Sequence, residues 1–306
     1  MRIRPSVIIL TAIMVVSAVL FGCDEQLNGA AAAAPAPPRV DAVEPVASTV
    51  GIPSAPAGQL SNAFDGLDAR IAQATQEAAA DGATISVAVL DRITGRMATN
   101  GNTHSIATAS VAKLFIADDL LLRQSQPAGG ISADDRAALD VMLRSSDDGA
   151  AERFWNLDGG GAIVSRVAAR YGLSATVPPS DGAWWNTIST APDLARYYDM
   201  LLSGSGGLPA DRANVIVSNL SHSTPIGIDG YPQRFGIPEG LYAEPVAVKQ
   251  GWMCCIGPNW MHLSTGVVGP DRRYVVVIES LQPSDDATAR NTITQAVKTM
   301  FPGGRI

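Results

Sequence analysis

Strand-like patterns stand at the two ends of the foldable part of this 306-residue chain, and helix-like patterns fill the space between them. Few architectures satisfy that order. Ile85-Ser86-Val87-Ala88-Val89-Leu90 reads as a strand, with Asp91-Arg92-Ile93-Thr94-Gly95 as the turn of a hairpin. Helical spacing then runs through Ser110 to Arg123, Ala133 to Leu143, Gly149 to Asn156, Ala162 to Tyr171 and Pro192 to Leu202. Strands return at Pro245 to Trp252, Trp260 to Val267 and Tyr274 to Ile278, and a last helix covers Asp285 to Phe301. Two strands before a helical block and three after it do not make βαβ units. The expectation is therefore an α+β fold, a five-stranded antiparallel sheet packed with helices and joined to a mainly helical block. Leu60, Phe64, Leu67, Ile71 and Ala74 recur at helical spacing and place an amphipathic helix ahead of the first strand.

The folded domain is expected to span residues 60–306, because what precedes it has a different character. Arg2 and Arg4 form a basic start, and Val7 to Gly22 is an apolar stretch too short for a comfortable membrane span. It ends in Leu20-Phe21-Gly22-Cys23, which resembles the lipobox of bacterial lipoproteins. That resemblance implies a signal peptide over 1–22, diacylation of Cys23, and a protein held at the outer face of the cell membrane by its lipid. An ordinary secretory signal or an uncleaved anchor would also export the body. Residues 23–59 are Ala- and Pro-rich, with Ala30 to Ala34 running into Pro35-Ala36-Pro37-Pro38, and read as a disordered tether.

Net charge is −7 and no Lys/Arg cluster occurs in the body, which argues against nucleic-acid binding. Only three of the twenty-two basic residues are lysines, and two of these stand in Ser110-Val111-Ala112-Lys113 and Val248-Lys249-Gln250-Gly251-Trp252. Arginine stays charged, whereas a desolvated lysine can lose its proton and act as a base. Residues three apart share a helical face, so the Lys113 amine can reach Ser110 at a helix start, where the dipole favours an alkoxide. Ser110 is thus a candidate nucleophile.

Ser145-Ser146-Asp147-Asp148-Gly149 follows, then Lys249-Gln250-Gly251 on a C-terminal strand. In this order the three motifs resemble the serine β-lactamase and penicillin-binding-protein superfamily, whose marks are Ser-x-x-Lys, Ser-Asp-Asn and Lys-Thr-Gly or Lys-Ser-Gly. Asn186-Thr187-Ile188-Ser189-Thr190-Ala191-Pro192 looks like the helix start after the omega loop of class A enzymes. Ser110 to Asp119, Trp184-Trp185-Asn186-Thr187 and Lys249 to Cys255 look still more like a group of alanine-rich lipoproteins that share this fold. The resemblance implies that Ser110 attacks a carbonyl, with Lys113 as base, Ser146 relaying a proton to the leaving group, and Lys249 supplying positive charge. The backbone N–H groups of Ser110 and Trp252, beside Gly251, would form the oxyanion hole.

The chain departs from that pattern at three places. Asp148 replaces the Asn and puts a carboxylate near Lys113, raising the lysine pKa. Gln250 replaces a small hydroxyl residue, so a substrate carboxylate loses a partner. The loop Val177 to Trp185 holds no Glu to activate a deacylating water; its carboxylate, Asp181, stands beside Gly182 as a turn residue would.

Cys254 and Cys255 are adjacent and fit either a vicinal disulfide or two free thiols, while Trp184, Trp185 and Trp252 fit either a cleft mouth or core packing. His104, His222 and His262 lack the spacing of a metal site, so no metal or other cofactor is expected. A Gly-x-Ser-x-Gly elbow is absent, which argues against a Ser-His-Asp esterase. Two readings remain. The first is a monomeric serine acyl-enzyme hydrolase acting on a D-peptide, amide or ester, with weak or no β-lactamase turnover. The other is an inactive descendant that binds a peptidoglycan fragment, peptide or envelope partner.

Overall fold

A computed structural model describes residues 64–125 and 130–306, all within one compact unit. The expected signal peptide, Cys23, the tether and Leu60 lie outside the described residues. In chain order the elements are α1 (Leu67–Ala80), β1 (Thr84–Asp91), β2 (Arg96–Thr99), β3 (Ile106–Ala107) and a 3-10 turn over Ala109–Ala112. The helical block follows, with α2 (Lys113–Gln124), α3 (Ala133–Arg144), α4 (Asp148–Leu157), α5 (Ala162–Tyr171), β4 (Ile188–Ser189), α6 (Ala191–Ser203), α7 (Ala210–Ser221) and the short α8 (Ile237–Gly240). The chain returns to the sheet with β5 (Val246–Ile256), β6 (Asn259–Val268) and β7 (Tyr274–Gln282), and closes on α9 (Asp286–Met300).

The main sheet is five-stranded and antiparallel throughout, in the order β2-β1-β7-β6-β5. β1 and β7 pair in the centre, with Val87 opposite Ile278 and Val89 opposite Val276. This is why Tyr274 to Ile278 is an unbroken apolar run: successive side chains alternate faces, and both faces are covered. Val87, Val276 and Ile278 meet Leu67, Ile71, Ile293 and Val297 of α1 and α9. Ala88, Val277 and Leu263 face the helical block and join Leu114, Phe115, Tyr197 and Tyr198 in the larger core. Burying a Leu, Ile or Phe side chain contributes about 1.5–3 kcal/mol, so the two layers carry most of the stability.

Side-chain caps fix where several helices begin. Ser132, Asp147, Thr190 and Asp285 each accept from the backbone N–H three residues on, an arrangement worth about 1 kcal/mol per cap. Ion pairs fix how α2 lies on α5: Arg166 holds Asp119 through two bonds of 2.8 and 2.6 Å, while Arg170 and Tyr171 both donate to Asp118.

The structure adds elements beyond those the sequence patterns named. α7 is helical, and its buried Ala213, Ile216, Val217 and Leu220 carry the i, i+3, i+4, i+7 spacing. β3 and β4 form a separate two-stranded sheet. Ser110 sits in the 3-10 turn, and the α-helix starts at Lys113 rather than at Ser110. No helix among the described residues is long and apolar enough to cross a membrane.

Candidate active site

Three segments meet where the sheet edge joins the helical block. The 3-10 turn brings Ser110, the α3–α4 junction brings Ser146 and Asp148, and β5 at the edge of the sheet brings Lys249. Two of the three non-glycine residues with positive φ among those described are here, Ala109 (46°) and Ser146 (60°). Such backbone costs about 1 kcal/mol or more and persists where the surroundings hold it in place. Gly251 explains how the edge strand approaches the turn, since a Cβ there would lie 2.6 Å from the carbonyl oxygen of Thr108.

Lys113 is the hub. Its Nζ lies 2.7 Å from Ser110 Oγ, 2.8 Å from the carbonyl oxygen of Ser146, 3.0 Å from Ser146 Oγ and 2.5 Å from Asp148 Oδ1. Lys249 Nζ donates to Ser146 Oγ at 2.9 Å, so that hydroxyl bridges the two lysines. Both lysine side chains are buried, and the Trp184 ring covers Lys113 with its centroid 4.7 Å from Nζ. Burial pulls Lys113 below the usual lysine range, against the Asp148 carboxylate, which favours the ammonium. Burial together with the neighbouring Lys113 charge pulls Lys249 well below that range. Two amines so close and so dry cannot both stay fully protonated without cost, and burial favours the neutral form of each.

Gln250 is placed differently from expectation. Its amide donates to the carbonyl oxygens of Gln233 (3.1 Å) and Phe235 (2.6 Å), and its side chain is buried. Strand alternation is the reason: Lys249 faces Ser146, so its neighbour points to the opposite side of the sheet. The amide therefore braces the 233–235 segment instead of meeting a substrate. Asp181 likewise closes a local turn, accepting from the Ala183 N–H (3.0 Å) and from Asn186 Nδ2 (2.6 Å), as a turn residue does.

The cleft in front of Ser110 has a volume of about 290 Å³ and is lined by Ala109, Asp148, Trp184, Trp185, Asp229, Trp252, Met253 and Cys254. Trp184 is nearly fully buried while Trp185 is 43% exposed, so one closes the floor and the other lines the mouth. Trp252 is backed by Tyr231, stacked at 3.9 Å between centroids. Cys254 and Cys255 are bonded to one another at the far end of β5. Asp229 escaped the sequence reading. It projects from a loop whose Ile228 N–H donates to the Ser145 carbonyl at 2.8 Å, a fold-dependent contact with no local sequence signal.

The histidines stay out of this cleft. His262 is buried under Tyr231, whose hydroxyl lies 2.7 Å from Nε2, and burial pushes the imidazole down to about 4. His104 and His222 are exposed. No group of three or more His, Cys, Asp or Glu side chains fit to hold a metal ion occurs among the described residues.

No family model matches the chain. Among solved structures, a β-lactamase from Chitinophaga pinensis is similar, with a TM-score of 0.60 and 14% identity over 76% of this chain and 98% of that one. The structure of PBP-A is also similar, with a TM-score of 0.61 and 18% identity over 78% of this chain and 95% of that one. These likenesses give the fold, the mixed sheet-and-helix arrangement of class A β-lactamases and penicillin-binding proteins. The proteins of Mycobacterium tuberculosis and Mycobacterium bovis named "Putative lipoprotein LppW" are each 63% identical to the chain along the full length of both sequences. Identity of that order from end to end places the chain in the LppW lipoprotein family.

Proposed function

We propose that the domain is a serine acyl-enzyme hydrolase in which Ser110 is the nucleophile and Lys113 its general base. The observation that carries this reading is the Ser110–Lys113–Ser146–Lys249 chain of hydrogen bonds, 2.7, 3.0 and 2.9 Å long, opening onto a cleft. In this reading neutral Lys113 takes the Ser110 proton as Oγ attacks a carbonyl carbon. The backbone N–H groups of Ser110 and Trp252 receive the developing oxyanion, and Ser146 gives its proton to the departing group and is reprotonated by the Lys113 ammonium 3.0 Å away, which returns Lys113 to its neutral form. Substrates are amides, D-peptides or esters. Asp181, the carboxylate of the loop that bears the water-activating Glu in class A enzymes, is occupied in its own turn, so turnover of β-lactams is slow or absent.

The name of the mycobacterial relatives and the Leu20-Phe21-Gly22-Cys23 motif support lipidation at Cys23 and attachment of an exported body to the outer face of the cell membrane. Incubation of the folded domain with a fluorescent penicillin or a p-nitrophenyl ester, followed by intact-mass measurement, tests the catalytic reading. One acyl group per chain, absent in Ser110→Ala, is the expected result; labelling that survives Ser110→Ala overturns it.

A further inference from the structure

The cleft before Ser110 carries a charge pattern that fits one kind of ligand. Asp148 spends one oxygen on Lys113 yet keeps 67% of its side-chain surface open, and Asp229, which lines the same cleft, is exposed and accepts from the Tyr231 N–H at 2.9 Å. No lysine or arginine is among the residues lining this cleft. The two lysines beneath it are buried and committed to Ser110, Ser146 and Asp148. Gln250, which might have offered an amide to a carboxylate, has both its N–H contacts on the far side of the sheet. The other walls are indole: Trp185 is 43% exposed, and Trp252 is held face-on by Tyr231. Carboxylates beside aromatic faces attract cations by charge and by ring quadrupole, and the same carboxylates repel an anion.

We propose that this cleft selects acyl donors bearing an ammonium group on the acyl chain and rejects donors bearing a carboxylate there. The inference rests on the reading of the Ser110 cleft as the substrate site, and it sets the class of substrate that the site takes. An ammonium between Asp148 and Asp229 would also compete with Lys113 for the Asp148 carboxylate. Binding of the right substrate thereby releases the base that Ser110 needs, so the charge preference appears in the acylation rate as well as in affinity.

The test uses p-nitrophenyl esters of 6-aminohexanoic, hexanoic and adipic acids, which differ in end-group charge. Attack by Ser110 Oγ forms the ester bond to the enzyme and expels p-nitrophenolate, read by absorbance and by intact mass. The ammonium ester should acylate Ser110 about tenfold faster than the neutral one, and the carboxylate ester slowest of the three. Asp229→Asn should cut the ammonium preference by at least threefold. In parallel, quenching of tryptophan fluorescence in Ser110→Ala reports binding without chemistry: 6-aminohexanamide should bind and adipamic acid should not. Equal or faster labelling by the carboxylate ester, or binding of adipamic acid by Ser110→Ala as tight as that of the amine, overturns the proposal, as does failure of Ser110→Ala to bind either amide. Labelling of Ser110 with no charge preference sinks the selectivity and leaves the nucleophile standing, whereas charge-selective binding without labelling does the reverse.

Discussion

Replacing Asp148 by Asn should accelerate acylation of Ser110. The carboxylate lies 2.5 Å from Lys113 Nζ, and Asn keeps an oxygen at that place, so the hydrogen bond survives while the charge goes. Lys113 is fully buried, but Asp148 is 67% exposed, so water screens part of the attraction. A charge-assisted contact of this half-screened kind is worth about 1.5 kcal/mol, roughly a factor of ten in an equilibrium. Removing it multiplies the neutral fraction of Lys113 by about ten on the acid side of its titration. A base of lower pKa is also a weaker proton acceptor, which returns roughly half of that gain on a logarithmic scale, leaving about threefold. The direction in pH follows from the chemistry. Acylation requires the neutral amine, so the rate rises as pH rises through the Lys113 titration, and losing the Asp148 charge, which favours the ammonium, shifts that rise to lower pH. Stopped-flow acylation by p-nitrophenyl hexanoate, whose acyl group is neutral, isolates this effect from ligand charge. Identical rates and identical pH midpoints in the wild type and Asp148→Asn, with Ser110→Ala inert, would refute the reasoning.

Four further outcomes are expected. The folded His262 imidazole sits at about 4 against 6.5 for an exposed one, so the unfolded chain binds the extra proton in between; stability should fall by about 2–3 kcal/mol as pH drops from 6.5 to 4. Urea unfolding at stepped pH checks this, and a His262→Gln variant whose acid limb is no flatter refutes it. Gly251→Ala forces a Cβ against the Thr108 carbonyl and should cost about 1–3 kcal/mol and slow Ser110 labelling, so an unchanged Tm and rate would contradict the packing argument. Ester turnover should show a burst of about one p-nitrophenolate per chain before a slow steady state, and a linear trace from time zero at saturating ester would show that deacylation is not limiting. Cys23→Ala in the full-length precursor should move the protein from the detergent phase to the aqueous phase, and unchanged partitioning would exclude lipid attachment at that residue.

How much of this was legible in the sequence depends on the range of the signal. Most helices with an apolar stripe announced themselves, α7 being passed over, and the three C-terminal strands did so through their β-branched runs. β2 was signalled only through the hairpin turn Asp91 to Gly95 ahead of it, because it is four residues long with only Ala98 buried. Sheet order was out of reach for a different reason: β1 pairs with β7 across most of the domain, and no local pattern encodes that partnership. Ser110 and Lys113 were readable because three residues of one turn fix their proximity, whereas Asp229 depends on a backbone bond between two distant loops. The facing of Gln250 was present in the sequence after all. Strand alternation places it opposite Lys249, and reading the tripeptide as one motif concealed that.

The site is unevenly equipped for the two halves of a hydrolytic cycle. Acylation needs a hydroxyl beside an amine and a proton relay, and Ser110, Lys113, Ser146 and Lys249 are linked one to the next by hydrogen bonds. Deacylation needs a carboxylate free to take a proton from water near the ester. Among the residues lining the cleft, the carboxylates are Asp148, whose proximal oxygen is engaged by Lys113, and Asp229, one of whose oxygens accepts from the Tyr231 N–H. Asp181 holds a separate turn. The remaining base is Lys113 itself, freed once Ser110 is esterified and no longer shares its proton, and Asp148 then acts against it by keeping the ammonium form in place. An ammonium-bearing ligand that draws Asp148 away would therefore favour both halves of the cycle, so selectivity for charge and release of the acyl group converge on one carboxylate.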